Sequence, residues 1–176
     1  MLRSCIAGLL IFSTCGPFCG GLYAGEQSPG NNSMQAINFQ QWLLQRKAYR
    51  GRILVVDMWA TWCTSCIERF PKMVALDKKY AGRGVQIVAI NLDDRDDGEA
   101  IASANHFLHS VGAHFPNYRM DENLMQAFEK LQLIGIPVVV IYDRQGRQRY
   151  RLTGDNPYKQ FTDRDVETAI QQLLDE

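Results

Sequence analysis

Ile53-Leu54-Val55-Val56-Asp57-Met58-Trp59-Ala60-Thr61-Trp62-Cys63-Thr64-Ser65-Cys66 is the stretch on which the reading of this chain turns. From Ile53 to Ala60 the residues are apolar apart from Asp57, and the run is short and rich in β-branched side chains. Such a run suits a central strand buried on both faces. Ile67 to Tyr80 then reads as a helix, with Phe70, Met73, Val74, Leu76 and Tyr80 available for its inner face and Pro71 placed to kink it. Cys63 and Cys66 therefore stand between a buried strand and a helix. Backbone N–H groups at a helix start lack partners and stabilise an anion, so Cys63 is expected to be the acidic, nucleophilic thiol. Two intervening residues let the sulfurs meet across the first turn. Cys66 is expected to be the more buried of the two and to resolve a mixed disulfide formed by Cys63.

Outward from this core, Met34 to Ala48 carries a loosely helical pattern in Ile37, Phe39, Trp42, Leu43 and Leu44. Val85 to Leu92 is a second buried strand. The acidic run Asp93, Asp94, Asp96 and Asp97 lacks the register of a calcium loop and reads as a solvated turn. A helix over Glu99 to Val111, a short strand within His114 to Met120 and a helix over Glu122 to Leu131 follow. Pro137 to Tyr142 is a third strong strand, which turns at Arg144-Gln145-Gly146 into a fourth, Gln148 to Thr153. Asp163 to Leu174 is an amphipathic closing helix, with Asp163 as its expected N-cap. Strands separated by helices should run parallel and the late hairpin antiparallel. The expected fold is α/β, a mixed central β-sheet flanked by helices.

The run from Val56 to Cys66 resembles the active site of the thioredoxin-like superfamily, and Gly135-Ile136-Pro137 resembles that superfamily's cis-proline loop. Pro71 occupies the place of its helix-kinking proline, and Gly154 that of the glycine after its last strand. The stretch from Asp93 to Gly135 is longer than in thioredoxin. This inserted helical stretch, with Trp59-Ala60-Thr61-Trp62-Cys63 and an export segment, looks most like the TlpA/ResA branch of exported thiol–disulfide oxidoreductases. The resemblance covers roughly Ile53 to Glu176. It implies exchange of a dithiol for a disulfide with protein substrates outside the cytoplasm, as a reductant. Cys63 would attack and Cys66 resolve. Asp57 would be the buried acid behind Cys66, its pKa raised by lost solvation. Pro137 would face the sulfurs and turn the Ile136 backbone toward an extended substrate segment, while Trp59 and Trp62 would pack around the site. The redox-active disulfide would stand in for any other cofactor. The partners would be protein thiols and disulfides and an upstream electron donor, the protein itself being a monomer. Three departures stand out. Thr64-Ser65 lacks the usual proline before the second cysteine. Ala89 falls where thioredoxin has the lysine that partners the buried acid. Val138 replaces the threonine after the proline.

Other readings of the same residues are weaker. A structural metal site needs two further ligands, and His106 and His109 lie far from the cysteines in sequence, with no second CxxC. His106, His109 and His114 read as surface or inserted-region residues. A purely structural disulfide closing so small a loop would constrain little. A thiol-dependent peroxidase of the peroxiredoxin kind would need a Pro-x-x-x-Thr-x-x-Cys setting, absent here. The last alternative is a redox-inactive binding module that kept the fold.

The ends of the chain set its compartment. Arg3, the apolar run Ile6 to Phe12 and small residues down to Ala24 read as an export signal cleaved near Ala24. The charge-free stretch from Arg3 to Glu26 also has the length of a membrane anchor, and Cys15 stands in a loose lipobox. All three readings make the domain periplasmic, or membrane-anchored and facing outside the cytoplasm. The organisation is then a signal peptide or anchor over 1–24, a linker over 25–33 and one domain over 34–176. Three of the five cysteines lie in the leader, so the domain keeps only the Cys63/Cys66 pair and is not a disulfide scaffold. Hydrophobic residues at 46% suffice for a core, and a formal net charge of zero argues against binding nucleic acid or anionic lipid through charge.

Overall fold

The structure, a computed structural model, describes residues 33–155 and 160–176. The leader and most of the linker lie outside the described residues. Those described form a six-stranded sheet in the order β1-β4-β3-β2-β5-β6. The strands are β1 (Gln35–Ile37), β2 (Ile53–Trp59), β3 (Val85–Asn91), β4 (Asn117–Met120), β5 (Val138–Tyr142) and β6 (Gln148–Thr153), and the helices are α1 (Phe39–Lys47), α2 (Thr64–Tyr80), α3 (Gly98–Ser110), α4 (Leu124–Leu131) and α5 (Asp163–Leu174). β2 pairs parallel to β3, β3 to β4, and β4 to β1, whereas β5 runs antiparallel to both β2 and β6. The mixed sheet follows from the connections: helical crossovers return the early strands in the same direction, and the tight Asp143–Arg147 turn reverses the last pair. In that turn the Asp143 carboxylate accepts from the backbone N–H groups of Gln145 and Arg147 and from Arg147 Nε.

β2 lies at the centre and every one of its residues is buried. Its alternation decides what each face receives. Ile53, Val55 and Trp59 point into a core shared with α2, α3 and α5, where they meet Phe70, Leu108 and Ile170. Leu54, Val56 and Met58 point the other way, into a core closed by Trp42 of α1 and Leu131 of α4. Asp57, between Val55 and Trp59 in this alternation, therefore belongs to the α2 and α5 face.

Two local expectations change. The segment after Met34 opens with β1 before α1 begins; Asn38 and Gln41 form a reciprocal capping box at that junction. The cap of α5 is Thr162 rather than Asp163: the Thr162 side chain accepts from Asp165 N–H, and the Asp165 side chain accepts from Thr162 N–H. Pro71 sits inside α2, which continues through it to Tyr80.

Candidate active site

The carboxyl ends of parallel strands are where open α/β sheets gather their working groups, and the cysteine pair lies just beyond the end of β2. Cys63 and Cys66 are joined by a disulfide, with their Cα atoms 5.2 Å apart. Cys63 is the N-cap of α2, and its Sγ accepts from the backbone N–H of Cys66 at 3.3 Å. The hydroxyl of Ser65 lies 3.6 Å from the same sulfur. Both contacts can donate to a thiolate at Cys63, and the partial positive charge of the helix start adds to them. Cys63 is 7% exposed and Cys66 1%, so the first sulfur is the one nearer solvent.

The loop that carries Cys63 is clamped from the neighbouring strand. The Asp93 carboxylate accepts from Thr61 N–H at 3.0 Å, from the Thr61 hydroxyl at 2.8 Å and from Asn91 Nδ2 at 2.7 Å. Asp93 is buried, unlike the solvated position expected for it, and Asp97 serves as the N-cap of α3. An acidic run without visible partners in sequence reads as solvent-facing; only the β2–β3 register, with Trp59 opposite Asn91, brings Asp93 to Thr61.

The Ile136–Pro137 peptide is cis. Antiparallel pairing sets Val138 opposite Met58, so the next step places Pro137 at the level of Trp59, at the end of β2 from which the cysteine loop departs. Gly154, at the end of β6, donates its N–H to the Pro137 carbonyl at 2.9 Å. A Cβ on Gly154 would stand 2.8 Å from Pro137 Cδ, which explains why a residue without one is found there. Ile136 is half-buried and packs against both core clusters. The two tryptophans part company. Trp59 is buried, with ring centroids 4.9 Å from Phe70 and 5.5 Å from Phe107, and builds the wall of the site. Trp62 is 54% exposed beside Cys63, and Ile134, before the proline loop, is also exposed.

Asp57 is 1% exposed, and its neighbours in the sheet are Ala89 and Val139. The β3 lysine position is thus apolar, as the sequence indicates. A cation reaches Asp57 all the same, from α2: Arg69 donates to Asp57 Oδ1. Burial pushes the Asp57 carboxyl up to about 6, against the lowering effect of the Arg69 charge and hydrogen bond; the Asp163 carboxylate pushes it slightly further up. Sequence reasoning missed Arg69. Its one signal is position: three residues after Cys66 on a helix lies on nearly the same face.

The Redoxin family model matches residues 29–170. The chain belongs to the Redoxin family. Within it, the chain is 26% identical over 156 residues to the thiol-disulfide oxidoreductase ResA of Bacillus subtilis, covering 84% of this chain and 82% of ResA. It is 29% identical over 113 residues to the thiol:disulfide interchange protein DsbE of Vibrio cholerae, covering 64% of this chain and 56% of that one. A crystal structure of a DsbE-type interchange protein from Chlorobium tepidum superposes with a TM-score of 0.59 at 28% identity, over 73% of this chain and 84% of that one. A Corynebacterium glutamicum thiol-disulfide isomerase shares the fold at a TM-score of 0.61 and 20% identity, over 74% of this chain and 85% of that one. The Redoxin family, the Cys63–Cys66 disulfide across two intervening residues and the relatives agree: this chain is a thiol–disulfide oxidoreductase of the ResA/DsbE kind.

Proposed function

We propose that this oxidoreductase works outside the cytoplasm and reduces disulfides in protein partners. The observation that carries the reading is the position of Cys63 Sγ as N-cap of α2, where the Cys66 N–H and the Ser65 hydroxyl both face it. In the dithiol form, the Cys63 thiolate attacks one sulfur of a partner disulfide. The partner's other sulfur leaves as a thiolate and a mixed disulfide forms. Cys66 gives up its proton, with Asp57 as acceptor, and attacks the Cys63 sulfur. The bond to the partner breaks, and the second partner thiol is released. Two electrons have passed to the partner, and the protein is left with the Cys63–Cys66 disulfide seen here. An upstream dithiol donor restores the pair by the reverse chemistry.

The substrate side is built from Trp62, Ile136 and Pro137. Trp62 offers an exposed aromatic face beside the reacting sulfur, and the Ile136 backbone at the proline loop offers edge groups to an extended segment. The sequence of residues 1–24, read as an export signal or anchor, supports work beyond the cytoplasm, where protein disulfides form and persist. The test is insulin reduction coupled to dithiothreitol. Activity should disappear with Cys63→Ser and survive Trp62→Phe with altered KM. Activity that survives Cys63→Ser rejects the assignment. Equilibration against glutathione tests direction: a pair more reducing than glutathione supports the reductant role, and a strongly oxidising pair opposes it.

A further inference from the structure

Arg69 holds three elements at once. Its guanidinium donates to Asp57 Oδ1 on β2 and to Met73 Sδ one turn on in α2, at 3.6 Å, and stacks over the Phe161 ring before α5 with 4.9 Å to the centroid. The side chain is only 10% exposed. Asp57 Oδ2, the other carboxylate oxygen, is buried and accepts no hydrogen bond among the described residues. Strand alternation sets this carboxylate on the sheet face against which Cys66 packs, since Val55 and Trp59 on either side share one cluster with Cys66.

We propose that Arg69 is the positioning residue of the resolving step: it holds Asp57 by one oxygen and supplies the counter-charge, so that the other oxygen is left ionised to take the proton of Cys66. The inference rests on the thiol–disulfide reading above and assigns a part to a side chain that the reading does not use. The helix, not the neighbouring strand, supplies the cation, because β3 offers only Ala89 beside Asp57. Few other charges bear on this carboxylate. Arg69 faces it from α2 and Asp163 from the first turn of α5; β3 and β5 contribute Ala89 and Val139, which carry none. A buried carboxylate with no cation would stay protonated through neutral pH and could not accept a proton. The Arg69 head is held by Met73 of its own helix and by Phe161 ahead of α5, so the ion pair is fixed from two neighbouring segments on one face of the sheet. The step balances: the Cys66 S–H bond breaks and an Asp57 O–H bond forms. The Cys66 sulfur then makes its bond to Cys63 as the bond from Cys63 to the partner breaks. Arg69 keeps its proton throughout.

The experiment uses the full chain and its Arg69→Met, Arg69→Lys and Asp57→Asn variants, with the Asp57→Asn/Arg69→Met double variant. The Asp57 carboxyl carbon is titrated by NMR, and resolution of a preformed mixed disulfide between Cys63 and glutathione is timed from pH 5 to 9. Arg69→Met should raise the Asp57 midpoint by about one pH unit or more, and the pH at which resolution half-accelerates should rise with it. Below both midpoints that is about a tenfold loss of rate. Arg69→Lys should restore most of both. In the Asp57→Asn background, Arg69→Met should change the rate less than twofold. A folded Arg69→Met variant with an unmoved Asp57 midpoint overturns the proposal. So does a rate loss equal at every pH, or one of the same size in the Asp57→Asn background, because either marks Arg69 as merely structural. Resolution unchanged at every pH in Asp57→Asn alone removes Asp57 as the acceptor and the proposal with it. That result leaves the thiol–disulfide assignment standing, since the assignment is judged separately by Cys63→Ser in the insulin assay.

Discussion

Replacing Gly154 by alanine puts one methyl group where the structure has no room for it. The added Cβ would lie 2.8 Å from Pro137 Cδ, 3.0 Å from Cγ and 3.3 Å from the Pro137 carbonyl oxygen. Carbon atoms rest at about 3.5–4.0 Å, so the proline ring or the end of β6 must move by roughly 0.5–1 Å. A proline ring has no rotamer into which to escape, and the Gly154 N–H bond to the Pro137 carbonyl at 2.9 Å ties the two backbones together. Overpacking of this size costs about 1–3 kcal/mol. Urea unfolding should show that loss in the midpoint, with an unchanged slope. Insulin reduction, normalised to the folded fraction, should fall as well, because the shift displaces Pro137 at the end of the sheet that carries the cysteines. Gly135→Ala is the internal control on the same loop: its Cβ would meet Asp155 Cβ at 3.6 Å, an ordinary contact, and should cost under about 0.5 kcal/mol. Gly154→Ala with wild-type stability and turnover would refute the reasoning, as would equal losses for the two glycines.

Asp93→Ala removes the acceptor for Thr61 N–H, the Thr61 hydroxyl and Asn91 Nδ2, and should cost about 2–4 kcal/mol by thermal or urea unfolding; a loss under 0.5 kcal/mol would show that the clamp is slack. Asp57 gives stability a pH signature. Its folded pKa, about 6, lies above the ordinary 3.8, so the native state binds the proton more tightly and stability declines as pH rises from about 4 through 6. The decline amounts to about 3 kcal/mol at most, and the stability difference between wild type and Asp57→Asn should follow it; a difference that is flat from pH 4 to 7 counts against the buried carboxyl. Ser65→Ala removes a donor 3.6 Å from Cys63 Sγ, and alkylation of the reduced protein by iodoacetamide at neutral pH should slow about fivefold, roughly 1 kcal/mol. An unchanged alkylation rate means that the hydroxyl does not serve the thiolate.

The sequence reveals most where one residue's neighbours are local. Ile53 to Trp59 is apolar enough to be a doubly covered strand, and the cysteines follow it into a helix whose first turn brings them together. The late hairpin announces itself through Arg144-Gln145-Gly146 between two strand-forming runs. The vacancy opposite Asp57 is also legible, since resemblance points to Ala89 and the register puts it there. β1 escapes because it has three residues and buries only Ile37, too short a run for an alternation to show in sequence. Asp93 and Arg69 escape for a different reason. A charged side chain in a loop or on a helix reads as solvated unless its partner is known, and the partners here, Thr61 and Asp57, lie 32 and 12 residues away. Those two ion-bearing side chains hold the front and the back of the cysteine site, and both depend on tertiary register rather than on any local pattern.

The division of labour between the two sulfurs is open to direct capture. Reduced Cys66→Ala and Cys63→Ala variants, each mixed with a disulfide-bonded peptide, can be read by mass spectrometry for a covalent adduct. Cys66→Ala should accumulate the peptide on Cys63 and hold it for want of a resolving thiol, while Cys63→Ala, left with the more buried sulfur, should accumulate little. An adduct that forms as fast on Cys66 as on Cys63, or on neither, would contradict the account.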